Sequence, residues 1–498
     1  MTELEDYLVL SRDQWLYSNP NGVNEGYYTN FTQDLFFSMQ RLSLNPYSLH
    51  RIPPSAELPF GLPDDIAVKL STVTLSYLHQ AGRLFVVDYS FLNTIPKVEG
   101  KYMTGCIAYF FIHPECNEFL PLAIKTDLGD GLVYTPLDSE NDWFLAKTLF
   151  ESNDNFFSAA YHLASTHAPA EIIHSAAVRS LASRHPIRGL LDRSESSVSL
   201  PELHSPTNNI AVMFRAYAIR TAGARALFNV GGRFDQSFAL GSPGFSIYSS
   251  MLYHTEAGHV QSNYFDRFFV SRGLVNCTYG PELPHFPFYE DVAPLVAVLT
   301  EFMTTYVTQY YPSDEVLAAD DEIQAWALEA SGPARIYDFP AAPITSRGTL
   351  IKLLAHVAYL AGIEHHAINT NSLAASRPLP LHPTSHWAPL PTEKGVQSVL
   401  PYLPNLNQSI AQMIVENQFS RPNLMYENGT LINAFSDPAF LAATTPGVQS
   451  AAVRFLQSMA TLGVKIDSKR FDDQGLCQGM PFIWRDVNPV RIPFFLAI

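Results

Sequence analysis

Positive charge is scarce in this sequence. Against 47 Asp and Glu it carries 31 Lys and Arg, a formal net charge of -16. A nucleic-acid partner, which selects a basic face, is therefore not expected, and no polybasic run offers a membrane anchor. Cysteine is scarce as well. Cys106, Cys116, Cys277 and Cys477 form no CxxC pair, which speaks against a thiolate zinc site and against a disulfide scaffold. The pattern fits a reducing compartment. No apolar run approaches the ~18 residues of a membrane span. The opening MTELEDYLVLSRDQW is acidic and mixed, where a signal peptide would be basic and then apolar, so a cytoplasmic location is the expectation. No Gly/Ser linker, low-complexity tract or repeat divides the 498 residues. P-loop, dinucleotide fingerprint, G-x-S-x-G elbow and HExxH are all missing.

What the chain does have is apolar bulk. Hydrophobic residues reach 47% and aromatics 12%, enough for one large continuous core. Residues 1–60 read as loosely structured, with SNPNGVNEG and HRIPPSAELP as loops around a helical FTQDLFFSMQRLSL. RLFVVDYSFL, TGCIAYFFIHP and FLPLAIKTD read as short strands rich in Val, Ile and aromatics. From about residue 141 the texture is helical. VAPLVAVLTEFMTTYVTQYY and DDEIQAWALEA are further helices, and TSRGTLIKLLAHVAYLAGIEHHAINTN is apolar nearly all round, as a buried helix would be. The class is mainly α with a small β portion, in one large domain.

Two stretches, YHLASTH and YHTEAGHVQ, each space two histidines five apart: His162 with His167, and His254 with His259. On a regular α-helix positions five apart lie about 140° apart around the axis, so both cannot face one ion. A π-bulge, with its i→i+5 bonding, returns them to one face. That needs a long helix able to carry a bulge. FFSAAYHLASTHAPAEIIHSAAV is such a helix, whereas SSMLYHTEAGHVQSNYF is interrupted by Gly258 and reads as a helix end and surface loop. The geometry therefore favours His162 and His167 as ligands. GIEHHAIN adds His365 and Asn369, four apart and about 40° offset on an α-helix, on a face otherwise of Leu, Ala and Ile. Polar groups buried there need partners; a satisfied core histidine and a bridging Asn are the plainer account of that pair alone. His366, His356 and His174 read as structural. If PFFLAI threads into the core, the Ile498 carboxylate becomes a buried charge to be paired or metal-bound. Three imidazoles, an amide oxygen and a carboxylate suit a redox-active first-row metal, for which iron is the expectation. Zinc uses fewer ligands.

Together these residues resemble a lipoxygenase catalytic domain, along nearly the whole chain and in the family's order. MQRLSLNPYSLHRI, RLFVVDYSFL, EFLPLAIKT and DWFLAKTLF resemble its early segments. HLASTHAPAEIIHSAAVRSLASRHPIRGLL resembles its signature helix, followed by ARALFNVGGRFD, ELPHFPFYED, DDEIQAWALE, HHAIN and a terminal Ile. The resemblance implies a short, bacterial-type chain: one catalytic domain over residues 1–498, without the N-terminal β-sandwich of plant and animal members. It implies metal ligands at His162, His167, His365, Asn369 and the Ile498 carboxylate, holding non-haem iron. It implies dioxygenation of a polyunsaturated fatty acid bearing a cis,cis-1,4-pentadiene, with O2 as co-substrate and a hydroperoxide as product; in the family Fe(III)–OH removes the bis-allylic hydrogen. A long apolar cavity is implied, with Leu163, Ala361 and Ala239 as candidate lining residues and Ala239 as a candidate control on where oxygen adds. Peripheral contact with a membrane is compatible with such a substrate. The glutamines by which the family commonly joins the metal ligands to the substrate cavity through hydrogen bonds are replaced here by Ser158 and Ser372, which keeps open a hydroperoxide isomerase or lyase on the same fold. A metal-free lipid-binding protein is the reading from another class.

Overall fold

A computed structural model describes residues 1–13, 25–195, 231–370, 378–419 and 429–496. Its strands form one antiparallel meander in chain order: β1 (His50–Arg51), β2 (Leu84–Asp88), β3 (Ile107–Ile112), β4 (Phe119–Lys125) and β5 (Val133–Tyr134). Side chains alternate across the pleat. Phe85 and Val87 of β2 face the main core beside Phe110 and Ile112, while Leu84 joins Tyr109 and Phe111 in a second cluster with Phe60, Leu75 and Leu78. There the Phe60 and Tyr109 rings stack at 4.1 Å and the Tyr109 hydroxyl donates to the Phe60 carbonyl.

The rest is mainly helical, as the sequence predicts. Helix α1 (Glu140–His162) starts where the Ser139 side chain accepts from the Asp142 amide, with Glu140 and Asp142 in the first turn to complement the helix dipole. From Asp142 to His162 every residue of α1 is buried, so the helix runs through the core and has no wet face. A π-turn over Leu163–His167 joins it to α2 (Ala168–Ser180). The helices α3 (Arg233–Ser237) and α4 (Gly241–Leu252) make a corner against α1. α5 (Pro287–Tyr310) packs on α6 (Arg347–Tyr359) and on α7 (Pro446–Asp467). α6 also ends in π-turns, Leu360–Glu364 and His366–Thr370.

One expectation is corrected at the N-terminal end. Residues 36–49 are not loose; all are buried. They carry a polar knot. Arg41 bonds Glu151 through both carboxylate oxygens, at 3.0 and 3.2 Å, and Asp154 at 3.3 Å. Asn45 and Tyr89 donate to Asp154 at 2.7 and 2.6 Å. The guanidinium lies over the Phe150 and Phe37 rings, 5.2 and 5.6 Å from their centroids. Buried charge persists only when it is paired, and the pairing fastens the N-terminal segment to α1.

Candidate metal centre

The π-turn decides the site. In i→i+5 bonding His162 and His167 come onto one side of the α1–α2 helix. His365 arrives from the π-distorted stretch after α6. The nitrogens of His162, His167 and His365 that could bind an ion all lie within 4.8 Å of one another, and among the described residues no other group of three or more His, Cys, Asp or Glu converges in this way. Their rings are 4.6–5.7 Å apart, centroid to centroid, and the His167 and His365 Nε2 atoms are 2.9 Å apart.

The three imidazoles are buried, and burial sets their charge. It draws the His162 ring down to about 4. It draws His167 and His365 well below the usual histidine range, with the neighbouring imidazoles adding to the effect. At neutral pH all three are uncharged, the form whose nitrogen lone pair binds a cation.

Hydrogen bonding sets the tautomer of His365. A backbone carbonyl can only accept, so His366 Nε2 donates to the Phe495 oxygen, 2.9 Å away. The neutral His366 ring, held near 4 by burial, then presents Nδ1 as an acceptor. His365 Nδ1 lies 3.3 Å from it and donates. The His365 Nε2 lone pair is thereby turned toward His167, and a metal ligand needs such an outer partner. His366 was read from the sequence as merely structural. The neighbour's donor requirement, visible only in three dimensions, gives it this orienting part.

The remaining candidates fall as follows. The backbone of Asn369 lies in the π-turn His366–Thr370, not in the regular α-helix predicted for it; its side chain is outside the described residues, as are Ile498 and Ser372. The C-terminal segment does thread into the core: Phe494, Phe495 and Leu496 are buried, and Leu496 packs with Ala170 and Ala361. Leu163 is half-buried on the π-turn between the first two histidines. Ala239 is fully buried at the α3–α4 corner. An apolar cavity lined by Leu190, Leu299, Met303, Leu354, Val357 and Phe494, among others, touches none of Leu163, Ala239 and Ala361. Ser158 is buried on α1, one turn before His162.

The second histidine pair corrects the argument that chose between them. It too carries a π-turn, Tyr253–Ala257, after a full α-helix, so a helix able to bulge does not separate the pairs. Surroundings do. His254 is exposed and bonds the Tyr337 hydroxyl at 2.6 Å; His259 stacks on the same ring. Among the described residues, neither joins a third ligand.

Comparison with known proteins completes the assignment. The lipoxygenase family model matches residues 62–445, and the chain belongs to the lipoxygenase family. It is an oxidoreductase, a dioxygenase that joins O2 to fatty acids. A manganese lipoxygenase of Fusarium oxysporum is 45% identical over 100% of this chain and 79% of its own length. Those of Colletotrichum gloeosporioides and Gaeumannomyces tritici are 44% and 40% identical over 99% of this chain and 79% of theirs. A solved structure titled manganese lipoxygenase superposes with a TM-score of 0.92 at 41% identity, covering all of this chain and 85% of that one. A calcium-dependent 11R-lipoxygenase at 23% identity shares the fold, with a TM-score of 0.79.

These relatives overturn the expectation of iron. Each is named for manganese at 40–45% identity over essentially the whole chain. The physical reason for the error is plain. Neutral imidazoles with oxygen donors are accepted by several divalent first-row ions, and ligand type alone does not separate neighbours in that series.

Proposed function

We propose that this protein is a manganese-dependent lipoxygenase that oxygenates polyunsaturated fatty acids at a cis,cis-1,4-pentadiene. His162, His167 and His365 would hold the ion, with Asn369 and the Ile498 carboxylate completing the set. The observation that carries this reading is the convergence of three buried, neutral imidazoles from two π-distorted helices. The donor chemistry fits a divalent cation, because three uncharged imidazole lone pairs meet at one place. When bound, the metal would supply a one-electron oxidant and the base that together remove the bis-allylic hydrogen.

The chain does the remainder. The outer bonds from His366 and the Phe495 carbonyl hold the His365 ring in one orientation. Burial keeps the imidazoles free of protons and so available as ligands. Apolar walls around the π-turns, among them Ala164, Ala361 and Ile363, exclude water from a radical formed there.

The test is diene absorbance with linoleic acid in air, using protein loaded separately with manganese and with iron and primed with a trace of hydroperoxide. Conjugated diene from the manganese form, lost in His365→Ala, is the expected result. Activity only in the iron form would overturn the metal. No diene from either form would overturn the pentadiene substrate.

A further inference from the structure

The corner between α3 and α4 is fastened by a buried cation that lies outside the metal centre. Ala239 sits at this corner, and two of its neighbours tie it to the metal helix. Phe238 stacks on Phe234 at 4.2 Å, and both rings meet Phe156 of α1, six residues before His162. The position of the corner thus sets how closely Ala239 stands to the ligand helix.

Its backbone is held almost bond by bond. The Ala239 carbonyl accepts from the Val98 amide at 2.8 Å, and its N–H donates to the Thr384 carbonyl. Ser385 and Thr384 hydroxyls donate to the Ser237 carbonyl at 2.6 and 3.0 Å. The Asp235 carboxylate accepts from the amides of Gly231 and Ser242. Gly241 turns the chain at φ +58°, where a Cβ would strike Val98 and Asp235. Because the Ala239 N–H is diverted to Thr384, the Asp235 carbonyl loses the i+4 partner that a continuing helix would give it. Lys101 fills that place. Its Nζ donates to the Asp235 carbonyl and reaches the Phe238 carbonyl at 3.4 Å. The ammonium lies over the Trp387 ring, 5.2 Å from the centroid. The side chain is buried, and burial draws its ammonium down to about 8. A lysine placed there costs desolvation, and a neutral side chain would cap one carbonyl more cheaply.

We propose that Lys101 is a positioning residue for the specificity of the reaction: by closing the last carbonyls of α3 it fixes the depth of Ala239 beside the metal helix, and so the carbon of the fatty acid chain that O2 reaches. This rests on the reading that Ala239 borders the substrate. The Lys101 ammonium is engaged by the Asp235 and Phe238 carbonyls and the Trp387 ring, outside the histidine cluster. Its removal should move product identity more than metal content.

The experiment compares positional and chiral isomers of the hydroperoxides formed from linoleic acid by the metal-loaded full chain and by Ala239→Val, Lys101→Met and Lys101→Arg. A shift of the isomer ratio of about threefold or more in both Ala239→Val and Lys101→Met, with metal content unchanged and the wild-type ratio restored in Lys101→Arg, is the expected result. A shift in Ala239→Val alone overturns the role given to Lys101 and leaves it a structural cap. No shift in either overturns the placing of the corner beside the substrate. If Lys101→Met gives no folded protein, Lys101→Gln, whose amide still donates to one carbonyl, is read by the same criteria.

Discussion

Helix α1 carries two buried polar clusters less than three turns apart, and they are built on opposite principles. Glu151 and Asp154 are ions, matched inside the protein by Arg41 and wrapped by Asn45, Tyr89 and His382. His162 and His167 are neutral donors aimed at one another and at His365. In the first cluster both carboxylates lie within 3.3 Å of the one Arg41 guanidinium. In the second, two uncharged imidazole nitrogens stand 2.9 Å apart. Buried groups that satisfy each other hold a fold together. Buried groups of one kind that converge make a place for a cation.

The contrast can be broken or sharpened in steps. The largest effect belongs to the metal half. His365→Ala should remove more than about 100-fold of dioxygenase activity, since loss of outer partners alone costs up to that much; metal analysis and diene formation check it, and circular dichroism should show the fold retained. The ionic half should respond in the reverse sense. Arg41→Met leaves two buried carboxylates and should cost about 3–5 kcal/mol of stability, read by urea unfolding of metal-loaded protein.

Acid is the next lever. Burial alone would raise the Glu151 carboxyl, but Arg41 and then His382 outweigh it and hold it at about 2, below the ordinary 4.5. The folded chain therefore binds this proton later than the unfolded one. The stability it contributes is full above pH 4.5 and is lost as pH falls toward 2. The acid limb of the melting temperature should be flatter in Glu151→Gln. The smallest effect is Tyr89→Phe, which removes one donor to Asp154 and should cost about 1–3 kcal/mol, with diene formation unchanged.

How much of this was legible depended on whether the partners were local. The strands β2, β3 and β4, the helices α1 and α5 and the apolar helix α6 showed in their own residues, and so did the spacing of His162 with His167, whereas β1 lies in a stretch read as a loop and β5 was not read. The N-terminal segment did not. Gln40, Arg41 and Asn45 look like loop residues until Glu151 and Asp154, more than 100 positions away, are seen to receive them, and periodicity holds no record of such pairs. The choice of HLASTH over HTEAGH fell on the pair that converges with His365, but on a ground the structure does not support, since both carry a π-turn. Metal identity was illegible for another reason. Iron and manganese ask for the same donors, and what separates them lies beyond the list of ligand types.

The π-turn at Leu163–His167 has a consequence for the genetics of this chain. One extra residue in a helical turn works as a phase marker, so the stretch tolerates exchange of letters better than an addition to their number. Gaining a single codon among residues 163–166 would add a residue that the bulge does not absorb and turn everything beyond it by about 100°. His167 would leave His365, and the Ile173 carbonyl would turn away from the Trp326 indole that donates to it. An in-frame insertion there should inactivate as fully as loss of a ligand, though every histidine is still encoded, whereas loss of one residue would leave the two histidines four apart, about 40° offset on one face.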